Sequence, residues 1–273
     1  MMLVLLCAVG VAVIGAVVLP PMWRQRRRAA LRRTPLPQAW HQILQRRVPA
    51  YRRLPPALRQ QLHGIIQVLL AEKQFVGCAG LEVTDAMRVT IAAQAGLLLL
   101  NRETGYYPGL SSILVYPQAF FVRHESRDDA GVHSLRERVL SGESWGLGKV
   151  VVSWDDVERG TADFSDGVNV VLHEFAHQLD QESGSANGAP LLRSREGYRH
   201  WSHVFSAEYD ALCQRVARNE PSLIDPYGAT DPAEFFAVVT ELFFERPGDL
   251  AQQHPSLYDE LSAYYGVDPA QWA

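Results

Sequence analysis

Two histidines four residues apart on a helix share one face, because a turn takes 3.6 residues. His173-Glu174-Phe175-Ala176-His177 has that spacing. Val168, Val171, Leu172, Phe175, Ala176 and Leu179 recur around it at helical intervals. Ser165 or Asp166 can cap the start of such a helix, and Gly184 can end it. Neutral imidazoles suit Zn²⁺, and a catalytic zinc site takes three protein ligands and leaves a fourth position for water. Glu174, next to the first histidine, can reach that water as a general base. The pattern H-E-x-x-H is a helix signature of zinc peptidases, but short motifs recur by chance. The plainer alternative is a buried helix with two satisfied core histidines.

The charge distribution divides the chain. Of 273 residues, the first 23 carry no charge, and residues 24–33 carry six arginines. The remainder holds 20 basic and 30 acidic side chains. An acidic body argues against a nucleic-acid surface. Met2 to Leu19 is almost wholly apolar, and the run reaches Trp23 if Pro20 and Pro21 are tolerated. That length just spans a bilayer. A cleaved signal peptide would carry its basic region before the apolar stretch, whereas here the arginines follow it. Positive flanks stay cytoplasmic. The expected topology is one span through residues 2–23 in the inner membrane of a bacterium, with the body on the cytoplasmic side. Cys7, Cys78 and Cys213 form no C-x-x-C pair and suggest no disulfide framework.

Three regions follow from composition: an anchor over 1–23, a basic, proline-rich tether over 24–54, and a folded domain over 55–273. A short helix is expected around Trp40–Gln45 and an amphipathic helix over 57–75. Ile91–Leu100 fits either a helix or a buried strand. Ser112–Val122 reads as a strand pair or one bent strand, and the glycine-containing, polar stretch 123–148 as a long loop. Lys149–Trp154 reads as a strand that could hold an extended peptide by β-augmentation, or as an ordinary core strand. Helical patterns continue over Glu196–Arg218, Phe235–Phe244 and 255–265.

A zinc site needs a third protein ligand. Thr230–Phe244 is apolar nearly all round, so its helix should be buried, and carboxylates there are costly unless paired or metal-bound. Glu234 and Glu241, two turns apart, share a face. Asp231 and Pro232 look like a helix start, which would make Glu234 a capping-box residue. Glu241 could pair with Arg246 or reach solvent. Spacing alone leaves the choice between them open. Asp180 could orient a ligand imidazole or lie on the wet face of its helix. His200 and His203 read as a solvated helix face.

Tyr227-Gly228-Ala229-Thr230-Asp231-Pro232-Ala233-Glu234-Phe235-Phe236-Ala237 is similar to the segment after the H-E-F-x-H helix of anthrax lethal factor. A longer match, over about residues 55–270, is to the Mlc titration factor A family of bacterial zinc peptidases. It includes Leu114-Val115-Tyr116-Pro117, Ser144-Trp145-Gly146, the His173–Asp180 stretch and the Asp231–Phe244 helix. The resemblance implies His173, His177 and Glu234 as zinc ligands, Glu174 as base, and Tyr227 as the group that stabilises the oxyanion. It also implies His133 as a fourth ligand that blocks the open position until a partner moves its loop. The family's known members are soluble and bind a transcriptional regulator, the repressor Mlc. This chain's added anchor is a departure from them.

The expected fold is therefore α+β: a zincin-like domain, mostly helical with a small sheet, preceded by one transmembrane helix. The expected function is peptide-bond hydrolysis at a membrane-tethered zinc site, acting on a peptide or protein substrate. A regulator-binding module with a weak or latent zinc site is the alternative from another class. A non-peptidase zinc hydrolase is a third, because a ligand set does not fix the bond that is cleaved.

Overall fold

The computed structural model describes residues 19–102, 105–127, 133–140, 142–145 and 148–272, with backbone alone over 120–145. Residues 1–18, most of the expected anchor, lie outside that description. Among the described residues no helix is long and apolar enough to cross a membrane. Helix α1 covers residues 19–33. It is tied to the body by Arg28, whose guanidinium donates to both carboxylate oxygens of Glu72 at 2.8 and 2.7 Å.

Where the sequence predicts a tether with one short helix, the chain instead forms α2 (Gln38–Arg47) and α3 (Pro49–Arg53). Leu44, Val48 and Ala50 there are fully buried, and Leu54 nearly so. The prolines that suggest a tether are helix starts. Pro49 opens α3 and Pro56 opens α4 (Pro56–Glu72), where a missing N–H loses no helical bond. α4 presents Leu62, Ile65, Ile66 and Leu69 to the core, as its amphipathic pattern predicts.

After β1 (Gln74–Gly77), Thr84 caps α5 (Asp85–Leu97) by accepting from Met87 N. The ambiguous Ile91–Leu100 run is thus a buried helix that ends in turns. β2 (Ser112–Tyr116) is followed by β3 (Phe120–Arg127), β4 (His133–Leu140), β5 (Gly142–Trp145) and β6 (Lys149–Ser153). β1, β2, β6 and β5 form one sheet in that order. The first three are parallel, with Ile113 between Phe75 and Val150. β5 joins antiparallel, Trp145 opposite Lys149. Val150, Val151 and Val152 are all buried, the continuous apolar run typical of a parallel strand covered on both faces.

Three expectations change here. β6 has a neighbour on each side, so it offers no free edge for β-augmentation; the edges are β1 and β5. The predicted 123–148 loop is largely strand: β3 and β4 form a separate antiparallel ribbon, Phe121 opposite Val139, and β5 joins the main sheet. A ribbon that pairs only with itself need not carry the apolar alternation that marks a strand in sequence. Ser112–Val122 supplies strands to two different sheets rather than one pair or one bent strand.

The second half is helical: α6 (Trp154–Ala162), α7 (Val170–Gln181), α8 (Arg195–Ala217), a 3₁₀ turn at Pro226–Ala229, α9 (Pro232–Glu245), α10 (Pro247–Gln253) and α11 (Pro255–Tyr265). α9 is buried at every residue from Phe235 to Glu245. Phe235, Phe236, Phe243 and Phe244 fill the core with Phe175 of α7, Trp201 of α8 and Tyr265 of α11. Truncating one such phenylalanine to alanine costs about 3–5 kcal/mol. This packing sets α7 against α9 and brings their polar side chains face to face.

Candidate metal centre

α7 begins at Asn169. Its Oδ1 accepts from Val171 N and Leu172 N, both at 3.1 Å. Asn169, rather than Ser165 or Asp166, is therefore the cap. The same residue fastens α7 to α9. Its backbone N–H donates to Glu241 Oε2 in a short bond, and its Nδ2 donates to Glu245 Oε1 at 2.9 Å. Glu245 Oε2 also accepts from Gly167 N at 3.1 Å. α9 starts as its sequence predicts, with Asp231 Oδ1 accepting from Ala233 N and Glu234 N and Pro232 in the first turn.

Three potential ligand atoms converge between the two helices. His173 Nε2 lies 3.0 Å from Glu234 Oε2 and 3.2 Å from His177 Nε2. His177 Nε2 lies 3.4 Å from the same carboxylate oxygen. A tetrahedral zinc with bonds of about 2.0–2.1 Å has ligand–ligand edges of roughly 3.3–3.4 Å. The triangle therefore fits one small cation, and the N₂O donor set is one that zinc accepts. Burial pushes the Glu234 carboxyl up, but hydrogen bonds and charge from His173 and His177 outweigh it and hold it well below the ordinary carboxylate range.

Glu241 stands apart from the triangle. Its Oε1 lies 2.8 Å from His173 Nδ1, on the far side of the ring from Glu234. Glu241 thus accepts the Nδ1–H and leaves Nε2 facing the triangle, the usual way a carboxylate fixes a ligand imidazole. Glu234 is the carboxylate that completes the triangle, and neither a pairing of Glu241 with Arg246 nor a solvent-facing role applies. Sequence reasoning weighed Glu241 as a ligand and missed this orienting contact. The signal was its register, two turns from Glu234 on a buried face.

Glu174 is 3% exposed, and its Oε2 has no hydrogen-bond partner. Burial pushes its pKa up to about 7, against the pull of His173 and His177. A buried carboxyl with an orphaned oxygen is a group poised to exchange a proton. Tyr227 sits on the 3₁₀ turn, where Asp225 Oδ1 accepts from its N–H at 2.7 Å. Its ring centroid is 6.0 Å from that of His173, and the side chain is 46% exposed. His133 opens β4, paired with Arg127; its side chain lies outside the described residues.

Asp180 is fully buried rather than on a wet face. Its Oδ2 accepts from Gly188 N at 2.8 Å, and Gly188 O accepts from Trp201 Nε1 at 2.8 Å. Gly188 has φ +75°, and a Cβ there would lie 2.2 Å from Pro232 O. Asp180 therefore clamps the loop after α7 onto the start of α9, two residues before Glu234. His200 pairs with Glu260, and His203 is exposed, so the two form no second metal pair.

A single-metal triangle with an adjacent buried carboxylate is a site of the metallopeptidase type. The chain belongs to the glucose-regulated metallo-peptidase M90 family, whose profile matches residues 22–266. It is 44% identical over 250 residues to an uncharacterized protein of Synechocystis sp. (strain ATCC 27184 / PCC 6803 / Kazusa), covering 91% of each chain. It is 36% identical over 235 residues to the Mlc titration factor A of Klebsiella pneumoniae (strain 342), covering 85% of this chain and 87% of that one. It is 34% identical over 250 residues to the Mlc titration factor A of Cronobacter sakazakii (strain ATCC BAA-894), covering 90% and 91%.

Proposed function

We propose that this chain is a membrane-tethered, zinc-dependent peptidase. The observation that carries the reading is the triangle of His173, His177 and Glu234 beside the buried, unpartnered carboxyl oxygen of Glu174. When bound, zinc lowers the pKa of a water molecule toward neutrality and polarises the scissile carbonyl. His173, His177 and Glu234 hold the metal, and Glu241 keeps His173 in the tautomer that presents Nε2. Glu174 takes the proton of the attacking water and delivers it to the leaving amine. The Tyr227 phenol donates a hydrogen bond to the developing oxyanion. Its partial exposure and its place beside His173 support access to substrate.

The tether is proposed from the uncharged run over residues 2–23 and the arginines that follow it. This places the catalytic body on the cytoplasmic face of a bacterial inner membrane, where its substrates would be proteins at or near that surface. We further propose that His133, at the start of β4, serves as a fourth ligand in a resting state.

A second reading is favoured by the names of the relatives. A chain similar to Mlc titration factors could titrate a regulator of that kind through a binding surface, with cleavage secondary. A peptide-library cleavage profile of the zinc-loaded full-length protein, with Glu174→Gln as control, tests the choice. Cleavage lost in the variant supports the peptidase. No cleavage by either protein, with regulator binding in both, supports the binding module.

A further inference from the structure

Two adjoining cavities lie away from the metal triad, between α1 and the body. One, of about 610 Å³, is lined by Met22, Arg26, Arg28, Arg32, Arg102 and Tyr106, among others. The other, of about 350 Å³, shares Arg32, Arg102 and Tyr106 with it. Four arginines thus line one cleft, and among the described residues two of them interact with a carboxylate, Arg28 with Glu72 and Arg102 with Glu182. Arg28 is paired with Glu72 and also donates to Gly105 O at 3.0 Å. Arg26 and Arg32 have no carboxylate partner among the described residues. The Arg102 guanidinium lies 4.1 Å from the Tyr264 ring centroid, and its Nη1 is buried without a hydrogen-bond partner.

The walls are fixed. Arg28 stacks on Tyr106 at 4.7 Å. Tyr106 and Tyr107 both have left-handed backbone, φ 58° and 56°, a conformation that persists only where surroundings hold it. The buried Lys73 ammonium does so, donating to Tyr107 O at 2.6 Å and Leu110 O at 2.7 Å. The Arg32 stem, Cβ and Cγ, rests against Gly64. Guanidinium groups are planar donor forks matched to phosphate oxygens.

The cleft also has an apolar lip. Leu19, Met22 and Trp23 are exposed on α1 at 65%, 44% and 66%, and Met22 lines the cavity itself. Upstream of them lies the uncharged apolar run of the sequence. A free phosphate has no use for such a lip, whereas a phospholipid presents its phosphate beside glycerol and acyl carbons.

We infer that this cleft binds the phosphate headgroup of an anionic phospholipid, with Arg26 and Arg32 as its recognition groups. The site orients the peptidase body on the bilayer, a role distinct from the anchoring attributed to residues 2–23. The choice of lipid rests on the membrane-tethered reading. Binding from detergent solution needs no insertion, however, so failure of the site and failure of the topology are read in separate experiments.

Native mass spectrometry of the full-length protein released from detergent, with equimolar phosphatidylglycerol and phosphatidylcholine, tests it. Retention of phosphatidylglycerol over phosphatidylcholine is expected. Arg26→Gln with Arg32→Gln keeps the stem on Gly64 and should weaken that binding roughly 30-fold, on the scale of two basic residues at an anionic surface. Arg24→Gln with Arg33→Gln removes the same charge outside the cavity and should stay within about threefold of the parent. Equal loss in both double variants overturns the site, as does equal retention of both lipids. Displacement of bound phosphatidylglycerol by millimolar inorganic phosphate overturns the lipid assignment.

Discussion

Glu241 receives the Nδ1–H of His173 at 2.8 Å, while Glu234, two turns earlier on α9, faces the other nitrogen of the same ring at 3.0 Å. One imidazole is thus held between two carboxylates with different work. Its Nε2 faces the triangle that Glu234 completes, and its Nδ1 is held by Glu241. The contact extends through Asn169 to Glu245, so the start of α7 and the middle of α9 position the ligand together.

Replacing the two acids should separate those roles. Glu234→Ala removes one of three ligands, and stoichiometric zinc binding should be lost. Glu241→Gln should weaken zinc about 10–100-fold, the usual cost of losing a partner that orients a ligand imidazole. Competition against a chromophoric chelator measures both. An empty site in Glu241→Gln together with a full one in Glu234→Ala would reverse the assignment.

Glu245 gives the metal-free fold a pH signature. Burial, with added repulsion from Glu241 and Asp166, pushes its pKa up to about 8, although hydrogen bonds from Asn169 and Gly167 oppose the shift. Unfolded, a glutamate releases its proton near 4.5. Across that window the folded state holds more protons than the unfolded one, so stability is greatest at the acid end and falls as pH rises toward 8. Glu174 and Glu241 shift in the same direction, also through burial. The informative comparison is therefore metal-free Glu245→Gln against the parent. Its Tm should decline less between pH 5 and 8. Parallel Tm curves would show that Glu245 does not titrate there.

Tyr227→Phe should keep its zinc and lose kcat more than it gains KM, because an oxyanion donor acts in the transition state. Steady-state kinetics on a cleaved peptide decide this. An unchanged kcat removes the phenol from the mechanism.

The topology has its own test. In intact spheroplasts the body should be protected from added protease and be digested after lysis. Digestion before lysis places the body outside and ends the tether proposal as stated.

Much of the site was legible because its chemistry has fixed spacing. His173, Glu174 and His177 announce a helix face, and Asp231-Pro232 marks the start of the helix that delivers Glu234. What sequence could not show is how α7 and α9 lie against each other. That depends on the aromatic core to which Phe175, Phe235 and Phe236 belong; spacing alone left Glu234 and Glu241 open, and only the family resemblance chose Glu234. Asn169 was overlooked as the cap because Ser165 and Asp166 are equally good capping types, and only the backbone turn decides among them. The linker expected before residue 55 is helical for a related reason: Pro49 and Pro56 read as breakers, yet proline at a helix start is favourable. The β3–β4 ribbon was missed because its sequence lacks the apolar alternation of a half-buried strand.

The proposed reaction needs Glu174 to act as a base beside an intact metal triangle. Zinc content and peptide turnover, measured on the same preparations of full-length protein and Glu174→Gln, test this most directly. Both should hold one zinc per chain, and the variant should turn over roughly 10²–10⁴-fold more slowly. The parent's kcat/KM should fall on the acid side of a pH at or below about 7, since burial sets Glu174 near that value and a bound cation draws it lower. A Glu174→Gln protein that keeps its zinc and cleaves at the parental rate contradicts the mechanism.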